Sequence, residues 1–555
     1  MALIHNLLDR HKAMVGRRSP WMNYWQQLAD VLLPNQADFT SMRTPGEQRG
    51  TGIYDGSPRL ALRDLASTLD GLLKSKTSQW FDVAVDDEDL GDTEEVKRWL
   101  EAVKERMWDA IYRTKARFIQ RGGEVDLALS CFGWGVLWIQ ENRLRNGLLF
   151  RSFHNSQVTI DENDEGIIDV IAVEEESTAR QADMIYRKAG KDAPREIRDA
   201  LTKSGNVAEQ KFKFVQIVLP REDRQADAFG PRGMEFRSAL IDVKAEAIVS
   251  ESGFAEFPAA VPRWETSPGE IYPRGPGMMA LPDAKTLQAM GKTLLVGGQR
   301  AVDPPIWVLN DSVMSPLRTM PGGVTVLDNS DSSGAPVGVF PVSTNLPLGR
   351  EMQNDYRKQV EAAFFKNVFS LPIEGPDMTA TEVIARKEEF IRVIGPVFGR
   401  LESDYIGHVV ARVFGIMERA GAFPQRPDIM LEQKVTFRFQ SPIQQARKQL
   451  EIAGLSRSLQ LLAPLAAVQP EIMDVFDGEQ IARDSSEWGT VPTKWIKTKR
   501  AVEEMREGKQ SDAQQNALLA AAGPVSSAIK NVATAEAAVA PRLPLQPSAP
   551  PLALQ

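Results

Sequence analysis

The chain has 555 residues, of which 43% are hydrophobic and 25% charged, with a formal net charge of −8. These proportions are ordinary for a globular protein, and at about 150 residues per domain the length suggests three or four domains. The acidic balance argues against tight wrapping of DNA, which needs a basic surface, but it permits a protein that DNA passes without sticking.

A single cysteine, Cys131, excludes an intrachain disulfide, and we expect it to be buried in the apolar run 128–139. The N-terminal apolar stretch is too short and too soon interrupted by charge for a secretory signal. No window reaches 18 consecutive apolar residues. We therefore expect a soluble protein, made in the cytoplasm, with no membrane partner.

The first third of the chain has the apolar spacing of helices. In two of them a serine cap precedes a proline, Ser19-Pro20 and Ser57-Pro58, and in another Thr93 precedes acidic residues that suit the helix dipole. An alternating run at 80–85 predicts a strand. The predicted helices are 18–34, 57–74 (with Leu62, Leu65, Leu69, Leu72 and Leu73 on one face) and 93–112.

From residue 134 to about 265, short runs separated by turn residues predict strands around a helical stretch at 178–208, so the body is of mixed α+β class. A Gly/Pro-rich segment at 266–283 then marks a boundary. A helix is predicted at about 282–301 and another at 349–369. Between them, 303–347 is rich in turns and predicts a small β insertion with Val324–Leu327 paired to Val337–Phe340.

A loop at 370–378 leads into the longest predicted helix, which continues to about Gly421. Thr379 and Glu382 have the spacing of a capping box, in which each side chain bonds the other residue's free backbone N–H. Gly395-Pro396 predicts a kink, because proline removes an intrahelical hydrogen bond. A strand at 434–440, helical segments from 442 to about 508 and an Ala/Pro-rich tail follow.

Motifs for catalysis or metal binding are incomplete wherever they begin. The sequence "MGKTLL" lacks the first glycine of a phosphate loop, and the acidic turn at 161–172 has Ala172 where a calcium loop needs glutamate. The four histidines have no partners at zinc-ligand spacing, and we expect His408 to be packed. We predict no catalytic residue, metal or cofactor; the acidic run 85–95 leaves a metal-dependent nuclease, or a packaging ATPase, as the enzymatic alternative.

Three segments together resemble the portal, or head-to-tail connector, family of short-tailed bacteriophages. The most specific combination is E-x-Y-x-R-G-P-G, which begins at Glu270, followed at a set distance by T-A-T-E-V, which begins at Thr379. The resemblance covers most of residues 1–505 and rests on the segments 53–83, 269–290 and 378–421.

The resemblance implies an α+β portal fold and a ring, normally of twelve identical subunits, at one capsid vertex. Its parts would be a mixed α/β wing, a two-helix stem, a small β-containing clip, a tunnel loop, a long kinked helix and a helical crown. Their expected ranges are wing 1–265, first stem helix with its leader 266–302, clip 303–346, second stem helix 347–369, tunnel loop 370–378, long helix and returning strand 379–440, crown 441–508 and tail 509–555.

The implied function is a channel for genome packaging, head-tail joining and genome ejection, without catalysis. The implied partners are other copies of the chain, the terminase large subunit, the major capsid and scaffolding proteins, the tail adaptor, internal ejection proteins and double-stranded DNA. The expected location is the virion, after assembly in the host cytoplasm. A different head-tail adaptor is the structural alternative, although adaptors are usually shorter.

Candidate site residues follow from this resemblance. Arg357, Lys358 and Lys366 on the second stem helix are candidate channel contacts to DNA phosphates; alternatively they are solvated or form ion pairs between subunits, such as Arg357 with Glu361. Thr379 and Glu382 would fix the end of the tunnel loop at the channel wall. The tunnel loop itself would narrow the channel through Ile373, Glu374, Gly375, Pro376 and Asp377.

Overall fold

The computed structural model describes residues 2–369 and 395–440 with short gaps, and a further helical piece at 454–462. Contacts divide the chain into two compact units, Met1–Leu450 and Glu451–Gln555. The gaps are positions 43, 45, 78, 92, 143, 203–209, 226–227, 311–314, 329–336, 342–344 and 432, and beyond 462 only 477–478, 481–482, 485, 502, 505–506 and 508–509 are described.

Five helices begin the first unit, and the first of them is longer than predicted. The predicted start of the helix 18–34, with Ser19 as its cap, is wrong, because the helix runs unbroken through Pro20 from near the N-terminus. Leu7 and Met14 are buried against a sheet, so packing outweighs the helix-breaking tendency of the proline. These helices are α1 (Ala2–Leu32), α2 (Ser57–Leu73), α3 (Glu88–Gly91), α4 (Glu94–Tyr112) and α5 (Phe118–Phe132).

The predicted apolar face of α2 is confirmed, but its cap is not. Ser57 is the first helical residue, and its N–H donates to the carboxylate of Asp55 at 2.9 Å. On α4, Thr93 is the N-cap residue as predicted, but its hydroxyl donates to the carbonyl of Leu90. The residues of the α2 face are Leu62, Leu65, Leu69 and Leu73, which are buried, and Leu72, which is partly buried.

In the described residues, nine strands up to residue 260 form the sheets of the body. A five-stranded antiparallel sheet has the order β4-β5-β6-β7-β8, and a three-stranded sheet has the order β3-β2-β9. The strands are β1 (Phe81–Val85), β2 (Leu137–Glu141), β3 (Leu148–Ser152), β4 (Val158–Glu162), β5 (Ile168–Thr178), β6 (Lys211–Pro220), β7 (Phe236–Asp242), β8 (Ala247–Phe254) and β9 (Ala259–Ala260).

Both faces of the five-stranded sheet are covered. Val215 and Ile217 lie on the face that packs against the N-terminal half of α1. Phe212 and Phe214 have the opposite parity and pack against two short helices, α6 (Ala179–Lys188) and α7 (Arg195–Thr202). The described part of the helical stretch predicted at 178–208 thus contains two helices, and α6 begins with a capping box formed by Thr178 and Gln181.

The acidic turn at 161–172 is a hairpin between β4 and β5, as its failure as a calcium loop indicated. The side-chain oxygen of Asn163 accepts the N–H groups of Glu165 and Ile167 at 3.0 and 2.9 Å, and Gly166 supplies a φ of 76°. The turn is thus stabilised by hydrogen bonds from its own backbone to the Asn163 side chain.

Two long helices leave the body. They are α8 (Pro276–Val302) and α9 (Leu346–Ala363), followed by the short α10 (Lys366–Phe369). The predicted start of the first helix near Pro282 is wrong, since Pro276 occupies its first turn and Pro282 lies inside it. The predicted helix 349–369 is broken at Phe365, whose φ of 57° is left-handed.

The insertion between α8 and α9 is a three-stranded sheet, but its predicted hairpin is wrong. Val324–Asp328 (β11) and Val337–Val339 (β12) do not pair with each other. Both flank Ile306–Asn310 (β10), which is parallel to β11 and antiparallel to β12. In the sequence, the apolar run "IWVLN" of β10 follows two prolines and lies in a turn-rich segment. The predicted pairing therefore does not include β10.

The long helix is described from residue 395 onward. It is helical over 395–401, contains a π-helical turn at Glu402–Gly407 and continues as α11 (His408–Arg419). Gly421, with a φ of 64°, ends it as predicted, and the N–H of Ala422 donates to the carbonyl of Met417. β13 (Val435–Phe439) then returns to the body and pairs antiparallel with β1.

Candidate functional site

The two long helices form an antiparallel pair that we call the stem. A methyl group added at Gly291 would lie 3.7 Å from the amide of Gln353, and one added at Gly349 would lie 2.5 Å from Leu294. The contact position moves forward along α8, from Gly291 to Leu294, as it moves back along α9, from Gln353 to Gly349. The two helices are therefore antiparallel. Glycine at 349 lets the helices approach closely, since any side chain there would displace the Leu294 methyl group.

Burial divides the stem into a part inside the body and a part that projects. The last buried residue of α8 is Leu287, and the buried residue of α9 is Val360. Beyond them, large apolar side chains face solvent in the single subunit: Leu295 is 52% exposed, Val302 89%, Leu348 50% and Met352 47%. Among the described residues, nothing covers these apolar side chains of the two-helix stalk.

The stem meets the body at a buried carboxylate. Asp55 precedes α2 and is 4% exposed. Its Oδ2 accepts from Nε and Nη2 of Arg357 at 3.0 and 2.8 Å and from Gln353 at 3.0 Å, while Oδ1 accepts from the N–H of Ser57. The Gln288 amide accepts the N–H of Asp55 at 2.9 Å and donates to its carbonyl at 2.7 Å.

These five residues, Asp55, Ser57, Gln288, Gln353 and Arg357, are called the clasp below. Burial opposes ionisation of Asp55, but the hydrogen bonds from Ser57 and Arg357 and the guanidinium charge outweigh it, so the pKa of Asp55 lies below its ordinary value. The carboxylate is therefore charged at neutral pH and holds residues of α2, α8 and α9 together.

The E-x-Y-x-R-G-P-G segment joins the start of α8 to the end of α5 through backbone contacts. A methyl group added at Gly275 would lie 2.5 Å from the Cα of Gly133. One added at Gly277 would overlap the carbonyl of Cys131. The motif therefore needs glycine because two main chains touch there.

Tyr272 of the same motif enters an aromatic cluster. Its ring centre lies 5.3 Å from that of Trp25 and 5.2 Å from that of Trp134, and Trp21 lies at 6.1 Å. Burial among these rings raises the pKa of Tyr272 to about 12. The segment that leads into the stem is thus fixed to α1 and to the end of α5.

The π-helical turn is held by a buried ion pair. The ammonium of Lys74, at the end of α2, pairs with Asp126 of α5 and donates to the hydroxyl of Tyr405 at 3.2 Å. Burial alone would lower the pKa of Lys74, but the nearby carboxylates outweigh it, so the pKa is raised above its ordinary value. Burial raises the pKa of Asp126 to about 6 despite Lys74, so the pair is ionised at neutral pH.

The other side of the same turn is held by Arg263. Its guanidinium donates to Asp404 in the π-helical turn at 3.3 Å and to Glu162 of β4 at 2.9 Å. One turn further, the His408 ring bonds the carbonyl of Phe257 at 2.9 Å, and burial lowers the pKa of His408. His408 is packed, as predicted, and the turn is tied to the body from two directions.

Comparison with known proteins connects this arrangement to a family. The family described as "Bacteriophage head to tail connecting protein" matches residues 5–496. The chain belongs to this head-to-tail connector family. It is 26% identical over 515 residues to the "Portal protein" of Salmonella phage epsilon15, covering 92% of this chain and 91% of that protein. It is 27% identical over 523 residues to the "Probable portal protein" of Bordetella phage BPP-1, covering 92% and 93%.

The connector's three predicted DNA contacts have different surroundings. Arg357 pairs with Asp55 of the same subunit, and a pair between subunits, such as Arg357 with Glu361, stays a prediction. Lys366 pairs with Glu361 at 3.2 Å and with Asp64 at 3.5 Å. Lys358 is 78% exposed and lies 3.8 Å from Asp355. DNA contact by these three residues remains a prediction.

Other predicted site residues lie outside the described part of the connector. These are the loop residues Ile373, Glu374, Gly375, Pro376 and Asp377 and the cap residues Thr379 and Glu382. Gly395 and Pro396 begin the described part of the long helix, so the kink they predict is untested. The irregularity that the structure does describe, the π-helical turn, lies about two turns further on.

Sequence reasoning missed the clasp and the buried Lys74 pair. Asp55 offered a signal, because an aspartate shortly before a Ser-Pro helix start can accept a free N–H. Lys74 and Asp126 offered none, since they are 52 residues apart and each looks like a surface charge.

The described residues contain no group of three or more His, Cys, Asp or Glu side chains placed to hold a metal ion. In the same residues, no helix is both long and apolar enough to cross a membrane.

Proposed function

We propose that this connector is a portal protein, whose copies form a ring around an axial channel at one capsid vertex. Double-stranded DNA enters through the channel during packaging and leaves through it during ejection. The observation that carries the proposal is the projecting stem with exposed apolar side chains in a chain of the connector family. Apolar surface along a stalk is stabilised when neighbouring stalks pack side by side, as they do in a closed ring.

The proposed parts keep the sequence-based plan with adjusted boundaries. The wing is the α+β body with the returning β13, the stem is α8 with α9, and the clip is the sheet of β10 to β12. The tunnel loop at 370–378, the helical crown at 441–508, the tail at 509–555 and a twelve-fold ring remain parts of the proposal.

The clip is the proposed docking surface for the terminase large subunit during packaging and for the tail adaptor afterwards. Described apolar side chains on it are exposed, with Leu317 at 66%, Met320 at 61% and Val339 at 55%. We propose the wing and crown as contacts for the major capsid, scaffolding and internal ejection proteins, in a virion assembled in the host cytoplasm.

Lys358 is the proposed DNA contact that the structure favours among the three candidates. An acidic chain with a few exposed cations allows weak, non-specific phosphate contact, which suits a conduit better than tight binding. Lys358→Ala rings should retain less duplex DNA at low salt than Lys188→Ala rings, which lose another exposed lysine, on the body. Equal retention would remove Lys358 from the channel wall.

The proposed role includes no catalysis, because the chemistry of packaging would belong to the terminase. Magnesium-dependent cleavage of DNA by the purified protein, lost on a point substitution in the acidic run 85–95, would instead support a nuclease.

Electron microscopy of the purified protein tests the ring directly. Wild-type protein should show closed rings in end-on views, and a monomer that persists at high concentration would contradict the proposal. Leu348→Asp on the stem should prevent closure without unfolding the subunit, since the side chain is exposed in it. Leu144→Asp, in a turn of the body and 78% exposed, is the matched control and should still form rings.

A further inference from the structure

The clasp sits where the stem leaves the body. Gln288 follows Leu287, the last buried residue of α8, and Arg357 lies one turn before Val360, the buried residue of α9. On the body side, Asp55 leads into α2, whose apolar face is buried in the main core. The clasp therefore joins the projecting part of the stem to a helix that cannot move independently.

The contacts of the clasp are directional, unlike the apolar contacts around it. One carboxylate oxygen receives Nε and Nη2 of Arg357 and the amide of Gln353, all from α9. Gln288 of α8 bonds both the N–H and the carbonyl of Asp55. Apolar surfaces can slide over each other at little cost, but hydrogen bonds to a buried carboxylate weaken steeply when angles change. Both stem helices are thus oriented from a single residue of the body.

We infer that Asp55 is the positioning residue that sets the direction of the stem on the body. Resting on the proposed portal function, the inference extends to assembly. Neighbours in a closed ring are related by a fixed rotation, about 30° for twelve subunits, so a stem of variable direction would close rings of variable size or none. It follows that the charge of Arg357 serves the clasp rather than the DNA.

Asp55→Asn is the test, and Asp355→Asn is its control. Both substitutions replace a carboxylate by an isosteric amide. Asp355, however, is exposed on α9, and its ion pair with Lys358 is a long contact of 3.8 Å. Amide hydrogen exchange is measured on both variants and on wild-type protein. In Asp55→Asn, exchange in 288–302 and 346–357 should be roughly tenfold to a hundredfold faster, the scale of a lost hydrogen bond to a charged group, while 118–132 stays unchanged. Asp355→Asn should match wild type.

Images of the rings supply the second readout. Asp55→Asn rings should show several subunit numbers or an altered stem tilt, whereas Asp355→Asn rings should match wild type. Stem exchange and ring geometry like those of Asp355→Asn would overturn the inference. So would faster exchange spread evenly over the whole subunit, since that indicates general destabilisation.

A milder pair keeps the test usable if Asp55→Asn does not fold. Gln353→Ala removes one hydrogen bond of the clasp, and Gln359→Ala removes the same side chain from an exposed position of α9. Only Gln353→Ala should speed exchange in the stem, and equal exchange in the two would overturn the inference. Failure of wild-type protein to form rings would contradict the portal proposal alone, because the exchange contrast is measured within one subunit.

Discussion

Two neighbouring glycines of α5 give different predictions when replaced by alanine. A methyl group added at Gly122 would lie 2.9 Å from the ammonium of Lys74, whereas one added at Gly123 meets nothing within 4 Å. Inside a helix, alanine is favoured over glycine by about 1 kcal/mol. Gly123→Ala should therefore stabilise the subunit by about that amount.

Gly122→Ala gains the same helix propensity but displaces a buried charge. The Lys74 side chain is 1% exposed and that of its partner Asp126 is fully buried, so the ammonium has no solvent to move into. Crowding a well-packed core costs about 1–3 kcal/mol, so Gly122→Ala should range from neutral to a net loss of about 2 kcal/mol. The two neighbouring substitutions should thus differ by about 1–3 kcal/mol.

Urea unfolding at one fixed protein concentration measures this difference, because ring assembly would make the stability depend on concentration. In a double-mutant cycle, Lys74→Met should reduce the cost of Gly122→Ala, since the obstructing ammonium is gone. If Gly122→Ala were as stable as Gly123→Ala, Lys74 would not be fixed against α5 and the account of the π-helical turn would fail.

Three further predictions concern other parts of the subunit. Gly275→Ala should lower the free energy of unfolding by about 2 kcal/mol or more, because the added methyl group overlaps the backbone of Gly133. Gly298→Ala has open space around it and should raise the free energy of unfolding by about 1 kcal/mol. Equal urea midpoints for the two variants would contradict this prediction. Burial alone would raise the pKa of Glu174, but hydrogen bonds from His11 and Lys213 outweigh it. The pKa is therefore lowered from an ordinary 4.5 to about 2. Because that pKa is depressed, its stabilisation is present above pH 4.5 and lost as pH falls towards 2. After discounting for partial exposure it amounts to about 1–2 kcal/mol, so Glu174→Gln should flatten the acid limb of stability against pH. Tyr405→Phe should lose about 1–2 kcal/mol in thermal unfolding, because Lys74 loses an acceptor; an unchanged melting temperature would show that this hydrogen bond contributes nothing.

The elements that the sequence predicted well are those with a strong local period. The α2 stripe, the strand at 80–85 and the end of the long helix at Gly421 each depend on residues close together in the chain. The family resemblance also rested on short local segments, and the comparisons confirm it.

Predictions failed where distant packing decided the outcome. Pro20 and Pro282 each predict a helix start, yet both lie inside longer helices. Residues before each proline are buried in the body, so the helix continues through it. The predicted clip hairpin is wrong because both of its strands pair with β10 and not with each other. Local rules cannot see such competition.

The sequence by itself determined the class of fold, the family and the absence of complete catalytic motifs, because these depend on composition, periodicity and short motifs. Only the tertiary structure decided which charges act together. Asp55 and Arg357 are 302 residues apart, and so are paired only when α2 and α9 pack side by side. A charged side chain looks the same in sequence whether it is solvated or has a buried partner, and only the tertiary structure separates these two cases.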